Sequence, residues 1–252
     1  MREITQKIKE KKPLERLDES FVQEYIELVL NQNVKLKTKL QKNKLKEQDK
    51  RKIVKLVRNE LNKRYGQFWA VHKQISLESH KSTKERMRIY KEIYDKILKF
   101  TGNPRTILDI GAGLNPMSYY LIGKDAYYYV NELTKEDCKL IKDYLTEKNF
   151  KFEIIQGDAI KLEFPDADVC FLFKILESLD KNGHKNSEEL IKKLKCKYLV
   201  ISFSNIDTKN RKMNYPRRGW IEQMLNRLNY EFNKIEFPEE TFYLVKKLRL
   251  EK

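Results

Sequence analysis

The sequence predicts an α/β protein: a mostly parallel sheet with crossover helices and an antiparallel edge strand, preceded by a helical N-terminal domain. Three observations carry this expectation. Short apolar and aromatic runs at 106–110, 126–131, 152–156, 168–173 and 198–203 alternate with helical stretches at 116–122, 134–148 and 186–195. That is the order parallel strands joined by crossover helices require. The C-terminal end departs from it: 216–229 reads as helical, and "YEFNKIEF" and "TFYLVKK" follow, separated by a short Pro-Glu-Glu connection, which predicts an antiparallel strand pair. Residues 1–75, by contrast, show only helical spacing.

In that N-terminal part, Phe21, Tyr25, Leu28 and Val29 fall on one helix face, and Ile53, Val54, Val57, Leu61 and Tyr65 repeat the pattern. The intervening "NVKLKTKLQKNKLKEQDKR" is strongly basic with sparse leucines. Next, "HKSTKERMRIYKEIYDKILKF" opens a helix whose start carries a capping box, Ser82 with Glu85. Met87, Tyr90, Tyr94 and Ile97 supply its apolar stripe, and Thr101-Gly102-Asn103-Pro104 stops it. The division predicted is 1–75, a helical basic domain, and 76–252, an α/β domain.

Charge sharpens this division. The 252 residues carry a formal net charge of +16. Residues 1–100 hold 27 Lys+Arg against 14 Asp+Glu, and residues 101–252 hold 26 against 23. A positive field concentrated at one end attracts a polyanion and speeds encounter with it. Within the run 33–51 a solvated helix face is expected to account for about half of the lysines, which leaves the other half available to phosphates. Cys138, Cys170 and Cys196 lie far apart, and with His72, His80 and His184 they offer no metal-ligand spacing. No run approaches the length of a membrane span. The expectation is a soluble, cytoplasmic, monomeric protein with no metal and no membrane partner.

The stretch "TILDIGAGLNP" sits at the first strand, the tight turn and the following helix. Asn115 is placed to cap that helix, and Pro116 suits its first turn. Gly111 and Gly113 let a ligand approach the main chain closely, at the carboxyl ends of the strands where open α/β sheets bind their ligands. A dinucleotide fingerprint fails because Pro116 occupies the third glycine position. A nucleoside cofactor such as S-adenosylmethionine has no pyrophosphate and needs side-chain acceptors instead. Glu132 ends the second strand, where a carboxylate can hold both ribose hydroxyls, although a nicotinamide enzyme also places an acid there. Asp158, in "IIQGDAI", can meet the adenine edge, and Asp109 can orient the turn and the amino-acid end.

"DIGAGLNP" resembles motif I of class I methyltransferases, whose sheet is Rossmann-like. Together with "SHKSTKERM" upstream and "FLFKILESL" and "YLVISFS" downstream, it is similar to one family in particular. That family is the aminoglycoside-resistance 16S ribosomal RNA (guanine-N7)-methyltransferases, and the likeness covers roughly residues 75–205. It implies an S-adenosyl-L-methionine-dependent enzyme. Arg86 falls where the family holds the cofactor carboxylate, with His80, Ser82 and Thr83 in the same block. Asp109, Gly111, Gly113, Glu132 and Asp158 fall on the cofactor site, with Ala112, Leu133, Ala159 and Phe173 beside them. Lys174 falls near the base to be methylated, and Asp180 on an acidic position one turn later. "KILESL" lacks the family's following proline, and Ser204 stands where members have proline.

The residues also narrow the reaction. Attack at pyrimidine carbon-5 needs a cysteine nucleophile, and Cys170 lies mid-strand. Methylation of an exocyclic amine commonly shows an Asp/Asn-Pro-Pro-aromatic block, which "FLFKILES" is not. Guanine N7 has a free lone pair and no proton, so it needs no base; adenine N1 shares that property. The expected partner is RNA, either the small ribosomal subunit or transfer RNA, gripped by the N-terminal cations and the basic stretch 209–218. A non-catalytic RNA-binding or ribosome-assembly protein with the same fold is the alternative. Tyr119, Tyr120 and Trp220 are candidate stacking surfaces for an extruded base, with burial against the sheet the competing role.

Overall fold

The computed structural model describes residues 1–65, 86, 89–180, 183–207 and 211–247. The chain divides into two compact units, Met1–Val71 and His72–Lys252. The first contains α1 (Arg2–Lys9), α2 (Glu19–Gln32), α3 (Val34–Gln41) and α4 (Glu47–Tyr65). Its core uses the predicted spacing with one adjustment. Phe21, Val22, Tyr25, Ile26 and Val29 are buried on α2, whereas Leu28 is only half-buried. On α4, Ile53, Val54, Val57 and Leu61 are buried. Some of the basic surface is paired within the unit: Lys39 meets Asp49 at 2.8 Å, Lys7 meets Glu47 at 2.7 Å and Lys50 meets Glu3 at 2.7 Å.

The first complete element among the described residues of the second unit is α5 (Tyr90–Thr101). Tyr90, Ile93, Tyr94 and Ile97 are its buried stripe, and Gly102, with φ 73°, ends it. The expected capping box at Ser82 and Glu85, and Met87, lie outside the described residues. Then follow β1 (Thr106–Ile110), a 3₁₀ segment (Asn115–Leu121), β2 (Tyr127–Glu132), α6 (Lys135–Glu147), β3 (Lys151–Gln156) and β4 (Ala167–Phe173). After these come α7 (Leu176–Leu179), α8 (Lys185–Lys193), β5 (Cys196–Ser204), α9 (Gly219–Arg227), β6 (Glu231–Glu236) and β7 (Glu240–Lys246).

The seven strands are ordered β3-β2-β1-β4-β5-β7-β6. β1 to β5 are mutually parallel, and β7 pairs antiparallel with both β5 and β6. The antiparallel pair is therefore present, but its second strand lies inside the sheet and only β6 forms the edge. β7 is buried at every residue except its last. β4 is almost wholly apolar and β1 is apolar apart from Thr106 and Asp109, because both faces of a central parallel strand are covered. Successive residues alternate between two cores: Ile107, Val169 and Phe171 pack on one side with Tyr94 and Tyr128, and Leu108, Cys170 and Leu172 on the other.

This order places the crossing from β1 to its two neighbours at the centre of the sheet. The chain moves outward from β1 to β2 and β3, then returns to β4 on the other side of β1. The carboxyl ends of β1, β2 and β4 thus converge where the glycine turn leaves β1.

Phe171 is 1 % exposed in the middle of β4, stacked on Phe173 at 4.8 Å and tilted against Tyr94 at 6.2 Å. Phe171→Ala should lower unfolding free energy by about 3–5 kcal/mol through lost transfer energy and a residual cavity. Urea denaturation followed by circular dichroism checks this, and a loss below about 1 kcal/mol would show that the site collapses around the gap.

Candidate active site

Asp109 is the penultimate residue of β1, and beyond Ile110 the chain turns through Gly111 and Gly113, whose φ values are 59° and 56°. Both are in the left-handed region that favours glycine. A Cβ at Gly111 would also lie 2.3 Å from Ile175 Cδ1. The turn is fastened from below by β2. The Gly113 N–H donates to Glu132 Oε1 at 2.6 Å, the Leu133 N–H donates to Glu132 Oε2 at 2.9 Å, and the Ala112 N–H donates to the Asn131 carbonyl at 3.1 Å. Asn131, 1 % exposed, carries the fastening on to β3, donating through Nδ2 to the carbonyls of Ile155 and Gly157. Glu132 is half-buried. Burial, with Asp137 nearby, raises its carboxyl to about 7 against the two main-chain hydrogen bonds.

Asn115 does not cap a helix. Its side chain accepts three hydrogen bonds at Oδ1, from Arg86 Nη1 at 3.1 Å, the Tyr90 hydroxyl at 3.1 Å and the Tyr94 hydroxyl at 3.2 Å. Its Nδ2 donates to Asp109 Oδ2 at 2.7 Å. The amide faces a guanidinium and two hydroxyls on one end and a carboxylate on the other, which fixes its orientation. The segment Asn115–Leu121 is a 3₁₀ turn rather than the expected α-helix, and no side chain caps its start. The Ser118 hydroxyl tightens the turn by donating to the Asn115 carbonyl at 2.7 Å.

Asp109 is 1 % exposed. Oδ2 accepts from Asn115 and from the Tyr119 hydroxyl at 2.8 Å, while Oδ1 is buried with no hydrogen-bond partner among the described residues. Burial pushes its carboxyl up to about 6, opposed by those two hydrogen bonds and by Arg86. A buried acceptor left unmatched is costly, and here it stands beside the glycine turn.

Arg86 is 2 % exposed. Its Nε donates to both oxygens of Glu240 at 3.0 Å, and its guanidinium lies 4.8 Å from the Phe173 ring centroid. Burial opposes its charge, but Glu240 outweighs this and its pKa is raised. Lys174 follows β4 directly, with φ 58°, a conformation uncommon for a residue with a Cβ. Its Nζ meets Glu240 Oε2 at 3.0 Å, with the lysine side chain 9 % exposed. Arg86, Asp109 and Lys174 are thus drawn together through Asn115 and Glu240.

Other expected residues take different places. Asp158 Oδ1 accepts from the Ile160 N–H at 3.1 Å, closing a turn after β3, and Ala159 is buried there. Asp180 is committed to α8: its oxygens accept from the Asn186 N–H at 2.8 Å, the Ser187 N–H at 2.9 Å and the Ser187 hydroxyl at 2.6 Å, capping that helix start. Phe173 is the face on which Arg86 rests. Tyr119 is wholly buried, Tyr120 is 58 % exposed, and Trp220 is stacked on His184 at 3.8 Å. His80, Ser82 and Thr83 lie outside the described residues. The sequence reading missed Glu240, taking "EE" as a connection, and missed Asn131. It also missed Tyr215, 90 % exposed within the basic stretch; an aromatic between Asn214 and Pro216 flanked by Arg211, Lys212 and Arg217 was its only signal.

Among the described residues no group of acids, histidines and cysteines is placed to hold a metal ion, and no helix is long and apolar enough to cross a membrane. The first unit carries a groove of about 600 Å³ lined by Lys7, Lys11, Arg51, Lys55 and Arg58 with acidic Glu10 and Glu47.

Comparison with known proteins places this site in context. The 16S rRNA (guanine(1405)-N(7))-methyltransferase of Proteus mirabilis is 33 % identical over 132 residues, 50 % of this chain and 47 % of that protein. The protein of the same name from Serratia marcescens is 28 % identical over 180 residues, 70 % of each. The chain thus spans about half the length of the Proteus mirabilis relative. An rRNA methylase from Escherichia coli superposes with a TM-score of 0.70 at 22 % identity, covering 98 % of this chain and 99 % of that one. The 16S rRNA methyltransferase RmtF, solved in complex with S-adenosyl-L-homocysteine, gives a TM-score of 0.73 at 16 % identity, covering 98 % of each chain. These structures share the Rossmann-like methyltransferase fold seen here. The family model of the FmrO ribosomal RNA methyltransferases matches residues 56–245, from within α4 to the end of the sheet, and the chain belongs to that family.

Proposed function

We propose that this protein is an S-adenosyl-L-methionine-dependent RNA methyltransferase that acts on guanine N7 in small-subunit ribosomal RNA. The observation that carries the cofactor is the glycine turn itself. It bends on two left-handed glycines, is clasped by Glu132, and adjoins a buried Asp109 oxygen that has no donor among the described residues. A nucleoside with ribose hydroxyls and an ammonium group supplies such donors, so the residues present fit the cofactor. Glu132 would hold the ribose, Asp158 the adenine edge, Asp109 the amino-acid end and Arg86 the carboxylate. When bound, the cofactor contributes a methyl group on a positively charged sulfur.

The chain's own part is then orientation and exclusion of water. Guanine N7 presents a lone pair and loses no proton, so no general base is demanded. The acids at the turn suit this, being committed to donors from Asn115, Tyr119, Gly113 and Leu133. Lys174 is assigned to the base side, donating to guanine O6. Asp180 we assign to holding α8 rather than to the reaction, since both of its oxygens are already occupied there. The target RNA is suggested by the names of the Proteus mirabilis and Serratia marcescens relatives. The cationic groove of the first unit and the stretch through Arg217 and Arg218 are assigned to phosphate contacts.

Tritiated methyl transfer to isolated small subunits, transfer RNA and total RNA, with mapping of the labelled base, tests the reading. Label at a guanine N7 of 16S RNA is expected. Label confined to transfer RNA would move the substrate, and none in any RNA would refute the activity. Lys174→Ala should lower kcat by about tenfold or more while adenosylhomocysteine affinity stays within about twofold; an equal fall in both would remove Lys174 from the base side. Because Glu132 must be ionised to accept hydroxyl donors and titrates near 7, cofactor affinity should rise with pH. Calorimetry should find adenosylhomocysteine about tenfold weaker at pH 6 than at pH 8, with most of this dependence gone in Glu132→Gln. A flat wild-type profile contradicts the assignment.

A further inference from the structure

A pocket of about 670 Å³ opens between the stretch after β5 and α9, lined by Asn214, Tyr215, Arg217, Glu222, Gln223 and Asn226. Clefts that hold small ligands span roughly 300–1,000 Å³. The pocket shares no lining residue with the glycine turn, Glu132 or Lys174, yet it lies at the same end of the sheet. Arg218 ties it there. Its Nη2 donates to the carbonyl of Ser204, the last residue of β5, at 3.1 Å, and its Nε donates to Glu177 of α7 at 2.6 Å. Its Nη1 donates to the Pro216 carbonyl, beside Tyr215. Tyr215 is 90 % exposed, the most exposed large apolar or aromatic side chain among the described residues. The proline after it favours an extended backbone, and its ring has only two side-chain torsions to lose on binding. Asn214, Gln223 and Asn226 are exposed, and each amide both donates and accepts. Glu222 is the one acid in the lining, and its charge is matched: it accepts from Arg217 Nε at 3.1 Å and from the Tyr243 hydroxyl at 3.0 Å, and Arg217 holds its carboxyl below the usual range. Residues 209–218 contain Lys209, Arg211, Lys212, Arg217 and Arg218 and no acid. Arg211 and Arg217 stay largely exposed even within their ion pairs.

We infer that this pocket binds a nucleobase of the substrate RNA other than the guanine being methylated, with Tyr215 as its stacking face and the amides along its edge. This rests on the reading of the protein as an enzyme that acts on RNA. An exposed ring, amides that donate and accept, and a cationic border are what sites for unpaired nucleotides combine. A protein surface docked here would meet one ring and little other apolar area, and would bury polar amides and guanidinium groups. The methylated base must reach the glycine turn, which contributes nothing to this pocket. Phosphate contacts cannot tell one nucleotide from the next. A second base held at the same end of the sheet fixes the register of the strand, and so decides which nucleotide arrives at the turn.

Affinity for isolated small ribosomal subunits and ultraviolet cross-linking to them test this in the full-length protein. Tyr215→Ala should weaken binding about tenfold, and Tyr215→Trp should stay within about threefold of wild type. Tyr215→Leu should be as weak as Tyr215→Ala, because stacking needs a ring and not merely apolar bulk. The slope of log affinity against log salt should be the same in all of them, since no phosphate contact is lost. Adenosylhomocysteine affinity and melting temperature should not move, the ring being exposed and outside the glycine turn. In the irradiated wild-type complex, the tryptic peptide 213–217 should carry a nucleotide adduct after nuclease digestion. Affinity within about twofold of wild type in Tyr215→Ala, or retained in Tyr215→Leu, would overturn the inference. Weaker binding by Tyr215→Ala with no nucleotide adduct on the wild-type peptide would also overturn it, and would make a ribosomal protein the occupant. Wild type that methylates 16S RNA while Tyr215→Ala binds normally sinks the pocket and leaves the proposed function standing. Wild type that cross-links at 213–217 but transfers no methyl group to any RNA does the reverse.

Discussion

A guanidinium buried to 2 % exposure is the constraint from which the site is built. Arg86 must be given a counter-ion, acceptors and a polarisable surface, or the protein must leave it in water. Glu240 supplies the first, Asn115 the second and Phe173 the third. Each of these groups then does something more. Asn115 passes the order on to Asp109, and Glu240 passes it on to Lys174. Tyr90 and Tyr94 come to the same oxygen of Asn115 from α5, so the helix before the sheet is locked to the turn after β1. Replacing a buried ion pair with apolar residues is often neutral or stabilising, so this pair orders the groups around it more than it raises net stability.

The fold was legible because its signals are local. The alternation of short apolar runs with helical stretches, the glycine turn and Glu132 at the end of β2 can each be read within a few residues, and β1 to β5 occupy their expected places. The insertion of β7 between β5 and β6 was not legible, since a hairpin's sequence does not say which of its strands faces the sheet. The site divides in the same way. Gly111, Gly113 and Glu132 announce themselves by position along the chain. Glu240 touches Arg86 across 154 residues of sequence, and no pattern near either residue signals the other. Asn115 was misplaced for a related reason: a short polar side chain beside a helix start has a local and a long-range use, and only tertiary contacts choose between them. Asn115 took the long-range use, whereas Asp180 has local hydrogen bonds to the N–H groups of Asn186 and Ser187.

Charge shows the same tension between structure and function. Part of the excess in the first unit is spent on its own acids, as at Lys39 with Asp49 and Lys50 with Glu3. Along the basic stretch of the second unit, Arg211 pairs with Asp207, Arg217 with Glu222 and Arg218 with Glu177. Exposed pairs such as Arg211 with Asp207 contribute little to stability, and Tyr215 in the same stretch is 90 % exposed. These pairs leave part of the net positive charge neutralised within the protein itself.

The central claim is that a turn preorganised by Glu132, Asn115 and Asp109 receives the nucleoside cofactor without rebuilding. A crystal structure of the protein grown with adenosylhomocysteine tests this most directly. The ligand should lie at the carboxyl ends of β1 and β2, with its ribose on Glu132 and its amino-acid end beside Asp109, and with the Arg86–Asn115–Asp109 bonds intact. Crystals of folded protein in which that hollow stays empty, or in which the ligand binds only after those bonds are broken, would contradict it.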